Sequence, residues 1–171
     1  MCGLVGVIEL GGRTLDYKIL TQMSDTLYHR GPDDKKWEIK QPLGFAHSRL
    51  KIIDLSDKSS QPMLSSCGGY MMVYNGEVYN FKDIRKDLQK KGYKFQTSGD
   101  TEVVLYALVE WREKALTKFN GMFAFGFWDL KQRTLLLGRD RYGIKPLYYT
   151  ITRKFIIFAS EQRAILEHPE F

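Results

Sequence analysis

The chain has 171 residues, 26 Lys+Arg against 20 Asp+Glu for a formal charge of +6, and 43% of its residues are hydrophobic. That length is about one domain on a scale of roughly 100–200 residues each, and the composition is too apolar for a disordered chain. No run approaches the ~18 apolar residues of a membrane span, and the opening MCGLVGVIEL lacks the basic flank of a signal peptide, so a soluble cytoplasmic domain is expected.

Elements follow in chain order. Leu4–Leu10 is partly β-branched and alternates until Gly11-Gly12, which predicts a strand and a turn. From Leu15 the period changes, and Leu20, Met23 and Leu27 form a helical stripe that stops near His29, before Gly31-Pro32. Leu43–Ile53 reads as extended chain around His47-Ser48-Arg49. Tyr70–Tyr74 reads as a strand ending in an Asn75-Gly76 turn. Asn80 is placed to cap a helix carrying Ile84 and Leu88 and closing at Gly92, and Asp100 to cap another through Val104, Leu108 and Trp111. Met122–Asp129, Thr134–Arg139, Leu147–Thr150 and Phe155–Ser160 then predict a meander of strands, followed by a short helix near Glu161. Helices lying between groups of strands indicate an α+β layered domain, with Phe123, Phe125, Phe127 and Trp128 as core.

The charge and the special residues narrow the chemistry. The densest basic run, Arg85–Lys94, is interrupted by Asp87 and falls on an amphipathic helix, so it reads as a solvated face rather than a nucleic-acid patch. His29, His47 and His168 are scattered without metal-ligand spacing, and two cysteines make no disulfide framework. Cys2 stands apart. If Met1 is removed, Cys2 carries a thiol and a free α-amine together, and that amine, titrating near ~7.7–8.0, is a built-in base for the thiol. A small residue opening a buried strand would look the same in isolation.

The surrounding chain supplies a context. Met1-Cys2-Gly3-Leu4-Val5-Gly6-Val7, His29-Arg30-Gly31-Pro32-Asp33, His47-Ser48-Arg49-Leu50-Lys51-Ile52-Ile53-Asp54 and Tyr74-Asn75-Gly76-Glu77-Val78-Tyr79-Asn80 occur in that order. Ser98-Gly99-Asp100-Thr101-Glu102-Val103, Gly138–Tyr149 (GRDRYGIKPLYY) and Ala159-Ser160-Glu161-Gln162-Arg163-Ala164 follow. Over nearly its whole length the chain resembles the glutaminase domain of the asparagine synthetase family, a class II glutamine amidotransferase with an N-terminal nucleophile. The resemblance implies a four-layer α-β-β-α sandwich of two stacked antiparallel sheets over residues 1–171. It implies Cys2 as nucleophile, with the Asn75 side chain and Gly76 N–H as oxyanion donors. Arg49 is then the fork for the glutamine carboxylate, Glu77 and Asp100 hold its ammonium, and Leu50, Ile52 and Ile53 complete the binding set. His29 and His47 are structural hydrogen-bonders, and Cys67 has no role.

The implied partners are L-glutamine and a synthetase domain or subunit that receives the ammonia; no nucleic acid and no membrane is expected. ATP and magnesium belong to that synthetase domain, whose Ser-Gly-Gly-x-Asp-Ser loop this sequence lacks, so no cofactor and no metal is expected here. A glutaminase of the glucosamine-phosphate synthase or phosphoribosyl amidotransferase type, and a catalytically silent module organising a synthetase, are the rival readings. HSRLKIIDLS and GRDRYGIKPLYY favour the asparagine synthetase type. A retained Met1 would tie the Cys2 nitrogen into a peptide bond and remove the base.

Overall fold

Strand β1 (Gly3–Glu9) is buried along nearly all its length, and its two faces enter different cores. Val5 and Val7 pack with Leu20, Met23 and Leu27, whereas Leu4 and Ile8 meet Met71, Val73 and Trp128. A strand apolar on both faces needs cover on both sides. The computed structural model, which describes residues 1–52 and 56–171, provides it. After β1 come α1 (Tyr17–Asp25), β2 (Asp34–Lys40), β3 (Leu43–Arg49), β4 (Met63–Leu64), β5 (Tyr70–Val78), α2 (Phe81–Lys90) and α3 (Thr101–Trp111). The chain continues through β6 (Gly121–Asp129), β7 (Thr134–Arg139), β8 (Tyr148–Ile151), β9 (Phe155–Ala159) and α4 (Gln162–Leu166).

One antiparallel sheet has the order β2-β3-β1-β9-β8 and the other β4-β5-β6-β7. Helices α1 and α4 put Leu20, Met23, Ala164 and Ile165 against the outer face of the first sheet. Helices α2 and α3 put Ile84, Leu88, Val104 and Leu108 against Met72, Tyr74 and Phe125 of the second. Leu4, Phe45 and Phe158 of one sheet interlock with Met71, Val73 and Ala124 of the other. The layers therefore run helix, sheet, sheet, helix, as the resemblance implies. Phe158 fixes how closely the sheets approach: a Cβ on Gly126 of the opposite sheet would fall 2.3 Å from its ring, and one on Gly6 beside it 2.1 Å. Only hydrogen fits at both positions.

The structure corrects the sequence reading at several elements. Strand β2 is absent from the sequence reading because its residues, DKKWEIK, are mostly polar, as suits an edge strand whose charges discourage pairing with another chain. Asn75-Gly76 makes no turn. Both lie inside β5, opposite Ala124 and Phe123 of β6. The last four strands are two hairpins in different sheets, β6-β7 and β8-β9, rather than one meander. Helix α2 does close at Gly92, which has φ +94. Asn80 stands at its N-cap position, but its side chain accepts from Asn120 N (3.0 Å) and donates to Lys118 O (2.9 Å) instead of capping.

Candidate active site

Cys2 is placed by strand pairing. Gly3 faces Ser48 across the β1–β3 ladder, so the residue before β1 meets the chain just after β3. There Leu50 N donates to the Cys2 Sγ at 3.3 Å, and the thiol lies 3.7 Å from Leu50 O. Arg30, nearly buried, donates through Nε to Cys2 O (3.0 Å) and through Nη1 to Glu161 (2.8 Å), pinning the N-terminal residue to the start of α4. Burial pushes the Cys2 thiol above its ordinary value. The Leu50 N–H and the charges of the terminal amine, Arg49 and Arg30 act the other way. The thiol sits in a pocket shared with Met1, Arg49, Asn75, Glu77 and Asp100.

The pocket wall is an incomplete sheet edge. Strand β4 pairs with β5 only at Met63–Met72 and Leu64–Met71, so β5 runs on past it with one edge unpaired by a strand. In an antiparallel ladder, N–H and C=O of alternate residues point to the same edge. Tyr74 turns both toward the gap, where the buried amide of Gln61 meets them (2.6 Å to N, 3.1 Å to O). Two pairs on, Val78 N donates into the gap to Asp100 Oδ2 at 3.0 Å. Gly76 lies between them with the same parity. Its partner across the ladder, Phe123, has both N and O engaged by Asp140 on the far side, at 3.2 and 2.8 Å. Gly76 N–H therefore points into the pocket. Beside it, Asn75 is 2% exposed and its Nδ2 has no hydrogen-bond partner among the described residues. Gly is needed at 76 for a second reason, because a Cβ would come within 2.5 Å of Met122 O on β6.

The pocket's charged groups come from different elements. Arg49, the last residue of β3, is buried and donates Nη1 to Ser56 O at 2.9 Å. Asp100 is also buried, and Oδ2 accepts from the Tyr74 hydroxyl at 2.7 Å as well as from Val78 N. Burial raises the Asp100 carboxyl above its usual range, and the neighbouring Glu77 adds to this, against the two hydrogen bonds. Asp100 was expected to cap α3. Its carbonyl does accept Val104 N (2.9 Å), but its side chain turns away from the helix into the pocket. The loop before it is held from both sides: Glu102 accepts from Gln96 N, Thr97 N and Thr97 Oγ1, and Arg85 donates to Thr97 O and Gly99 O (both 2.8 Å).

Among the residues named from sequence, Cys2, Arg49, Leu50, Asn75, Gly76, Glu77 and Asp100 line this one pocket. Ile52 stands at its rim, 70% exposed. Ile53 lies outside the described residues. Neither His29 nor His47 is among the lining residues. His29 is exposed and bonds Glu161 (3.0 Å), while His47 is buried and donates to Tyr74 O at 3.1 Å. Burial, with the Arg49 charge, lowers the His47 pKa to about 4, so its ring is neutral. Sequence reading missed Gln61, Ser59 and Lys145. Lys145 sits in the quoted GRDRYGIKPLYY run, whereas Gln61 and Ser59 lie in a segment without a motif. Among the described residues no cluster of His, Cys, Asp or Glu is spaced to hold a metal ion, and no helix is long and apolar enough to cross a membrane.

Comparison with known proteins places the chain in a family. Residues 1–171 match the glutamine amidotransferase domain family. The chain is 40% identical over 173 residues to asparagine synthetase [glutamine-hydrolyzing] 3 of Bacillus subtilis strain 168, covering 99% of this chain and 28% of the relative. It is 39% identical over 169 residues to asparagine synthetase [glutamine-hydrolyzing] 1 of the same organism, covering 97% and 27%. The chain thus spans little more than a quarter of these relatives. The fold superimposes on the solved glutamine phosphoribosylpyrophosphate amidotransferase of B. subtilis with a TM-score of 0.76 at 21% identity, covering 96% of this chain and 43% of that one. Sequence and fold converge, and the chain belongs to the glutamine amidotransferase domain family.

Proposed function

We propose that this domain hydrolyses L-glutamine and passes the ammonia to a synthetase domain or subunit of the asparagine synthetase type. Met1 is removed first, freeing the Cys2 amine. That amine takes the thiol proton, and the thiolate attacks the side-chain carbonyl carbon of glutamine. The amide oxygen becomes an oxyanion, held by Asn75 Nδ2 and Gly76 N–H. The C–N bond then breaks as the amine returns its proton to the departing nitrogen, leaving ammonia and a γ-glutamyl thioester. Water, deprotonated by the same amine, cleaves the thioester and releases glutamate. Arg49 takes the substrate carboxylate, and Glu77 with Asp100 takes its ammonium. No cofactor enters these steps; ATP and magnesium serve the synthetase partner, where the acceptor is chosen. A reduced thiol suits the cytoplasm.

The observation that carries this reading is the pair of adjacent donors facing the Cys2 pocket, Gly76 N–H by strand parity and Asn75 Nδ2 without a partner among the described residues. Buried donors are normally paired, so two unpartnered donors on adjacent residues lining one cavity favour a ligand oxygen there. The test is glutamate release by Met1-processed protein beside Cys2→Ala. The processed protein is expected to turn over and the variant to be inactive; equal rates in a folded variant would refute the reading. A glutamine-analogue electrophile is expected to label Cys2 and spare the exposed Cys67. Protein that keeps Met1 is expected to be inactive, with intact mass reporting which form is present.

A further inference from the structure

Lys145 is a buried cation with an unusual partner. It is 6% exposed, it lines the pocket with Cys2, and its Nζ donates to the Met1 thioether at 3.2 Å. Among the described residues no carboxylate forms an ion pair with it. Buried ammonium groups ordinarily pair with a carboxylate, and a thioether is a weak acceptor.

The loop that presents Lys145 is fixed through its main chain. Asp140 accepts from Tyr142 N, Ile144 N and Lys145 N at 2.9–3.1 Å, and Arg139 Nε donates to Lys145 O at 2.8 Å. Every one of these bonds survives a change of side chain at 145.

Met1 Sδ is five bonds from the Cys2 nitrogen, a span of at most about 6 Å. With 3.2 Å from Sδ to Nζ, the ammonium lies within about 9 Å of that nitrogen, and Met1 is the residue between them. The geometry points to Lys145 as a positioning residue for the base: its ammonium faces the Cys2 α-amine once Met1 has left, and favours the neutral form that accepts the thiol proton. This rests on the function proposed above.

The other charges around Cys2 come from every neighbouring element. Arg30, after α1, is paired with Glu161 at the start of α4. Arg49 closes β3 and donates to Ser56 O. Glu77 of β5 and Asp100 before α3 line the same pocket, and Asp100 accepts from the Tyr74 hydroxyl. His47, behind Tyr74 O, is neutral. The acidic pair would favour the protonated amine, and Lys145 opposes it from the Met1 side. Like charges no more than about 9 Å apart in a partly screened pocket shift a titration by at least roughly half a pH unit.

The experiment uses Met1-processed wild type, Lys145→Met and Lys145→Arg, with kcat/KM for glutamine measured across pH. Lys145→Met is expected to move the acid limb to higher pH by at least about half a unit, and Lys145→Arg to leave it in place. NMR titration of the 15N-labelled Cys2 α-nitrogen reads the same shift without turnover. A limb and a nitrogen titration unmoved in Lys145→Met would overturn the inference, as would an equal shift in Lys145→Arg. If Lys145→Met does not fold, Lys145→Gln is read in the same way: a limb and a nitrogen titration unmoved in that variant also overturn the inference. An active Cys2→Ala would instead refute the underlying function, so the two failures are distinct.

Discussion

Asn75→Ala removes one of the two donors proposed to hold the oxyanion and is expected to lower kcat about 10²–10³-fold while leaving the glutamine KM little changed. Arg49→Ala acts on the other quantity and is expected to raise KM. His47 gives a stability prediction. Its pKa is about 4 in the folded protein against roughly 6.5 unfolded, so the unfolded chain binds the extra proton between those values. Stability is therefore full above pH 6.5 and falls as the pH drops toward 4, by about 2 kcal/mol at pH 5 from this ring alone. Urea unfolding at pH 7.5 and 5 measures it, and His47→Gln is expected to lose that part of the pH dependence. At this scale the sequence was most informative where a residue type has one use. A cysteine behind the initiator and the arginine of the HSR run stand out in the sequence, and both line the same pocket. Gln61 does not stand out, because an amide that satisfies one residue's N–H and C=O leaves no pattern along the chain.

Strand β5 shows how an element can be misread from its strongest local signal. Asn-Gly favours a tight turn in isolation, yet Asn75 and Gly76 continue the strand because β6 lies alongside for nine residue pairs. Close packing on Met122 and Phe123 requires glycine there, and the demand is tertiary, invisible to local propensity. Helices were easier, since the stripes Leu20-Met23 and Ile84-Leu88 pack against a sheet as their period says. The Asp140 loop is the element with the sharpest energetic prediction. Burial raises that carboxyl, but the N–H groups of Lys145, Ile144, Phe123 and Tyr142 outweigh it and hold the acid below its usual range. Asp140→Asn places a donor against some of those donors. It is expected to cost about 2–3 kcal/mol in chemical denaturation and to lower activity by loosening Lys145.

Across the whole molecule, the layered α+β architecture was legible because helices fall between groups of strands, and its four layers followed from the family resemblance. The division of the last four strands between two sheets was not: hairpin turns are local, whereas sheet membership depends on contacts such as Val5–Ala159 that span most of the chain. The sheets meet at Phe158, so Gly126→Ala is expected to destabilise the protein by about 1–3 kcal/mol through overpacking, read as a lower urea midpoint with an unchanged m-value. Beside that interface, β4 stops after two residues. Had it continued, the antiparallel register would bring Ser59 opposite Gly76 and close the ladder over the donor that now faces Cys2. The pocket thus lies where β5 runs on without a strand partner on the β4 side, and on the function proposed above the substrate oxygen takes the place of the missing strand at Gly76. Ligand and fold would then share a hydrogen-bond network, and a bound glutamine analogue is expected to slow amide hydrogen exchange along the open edge of β5, as a further strand would.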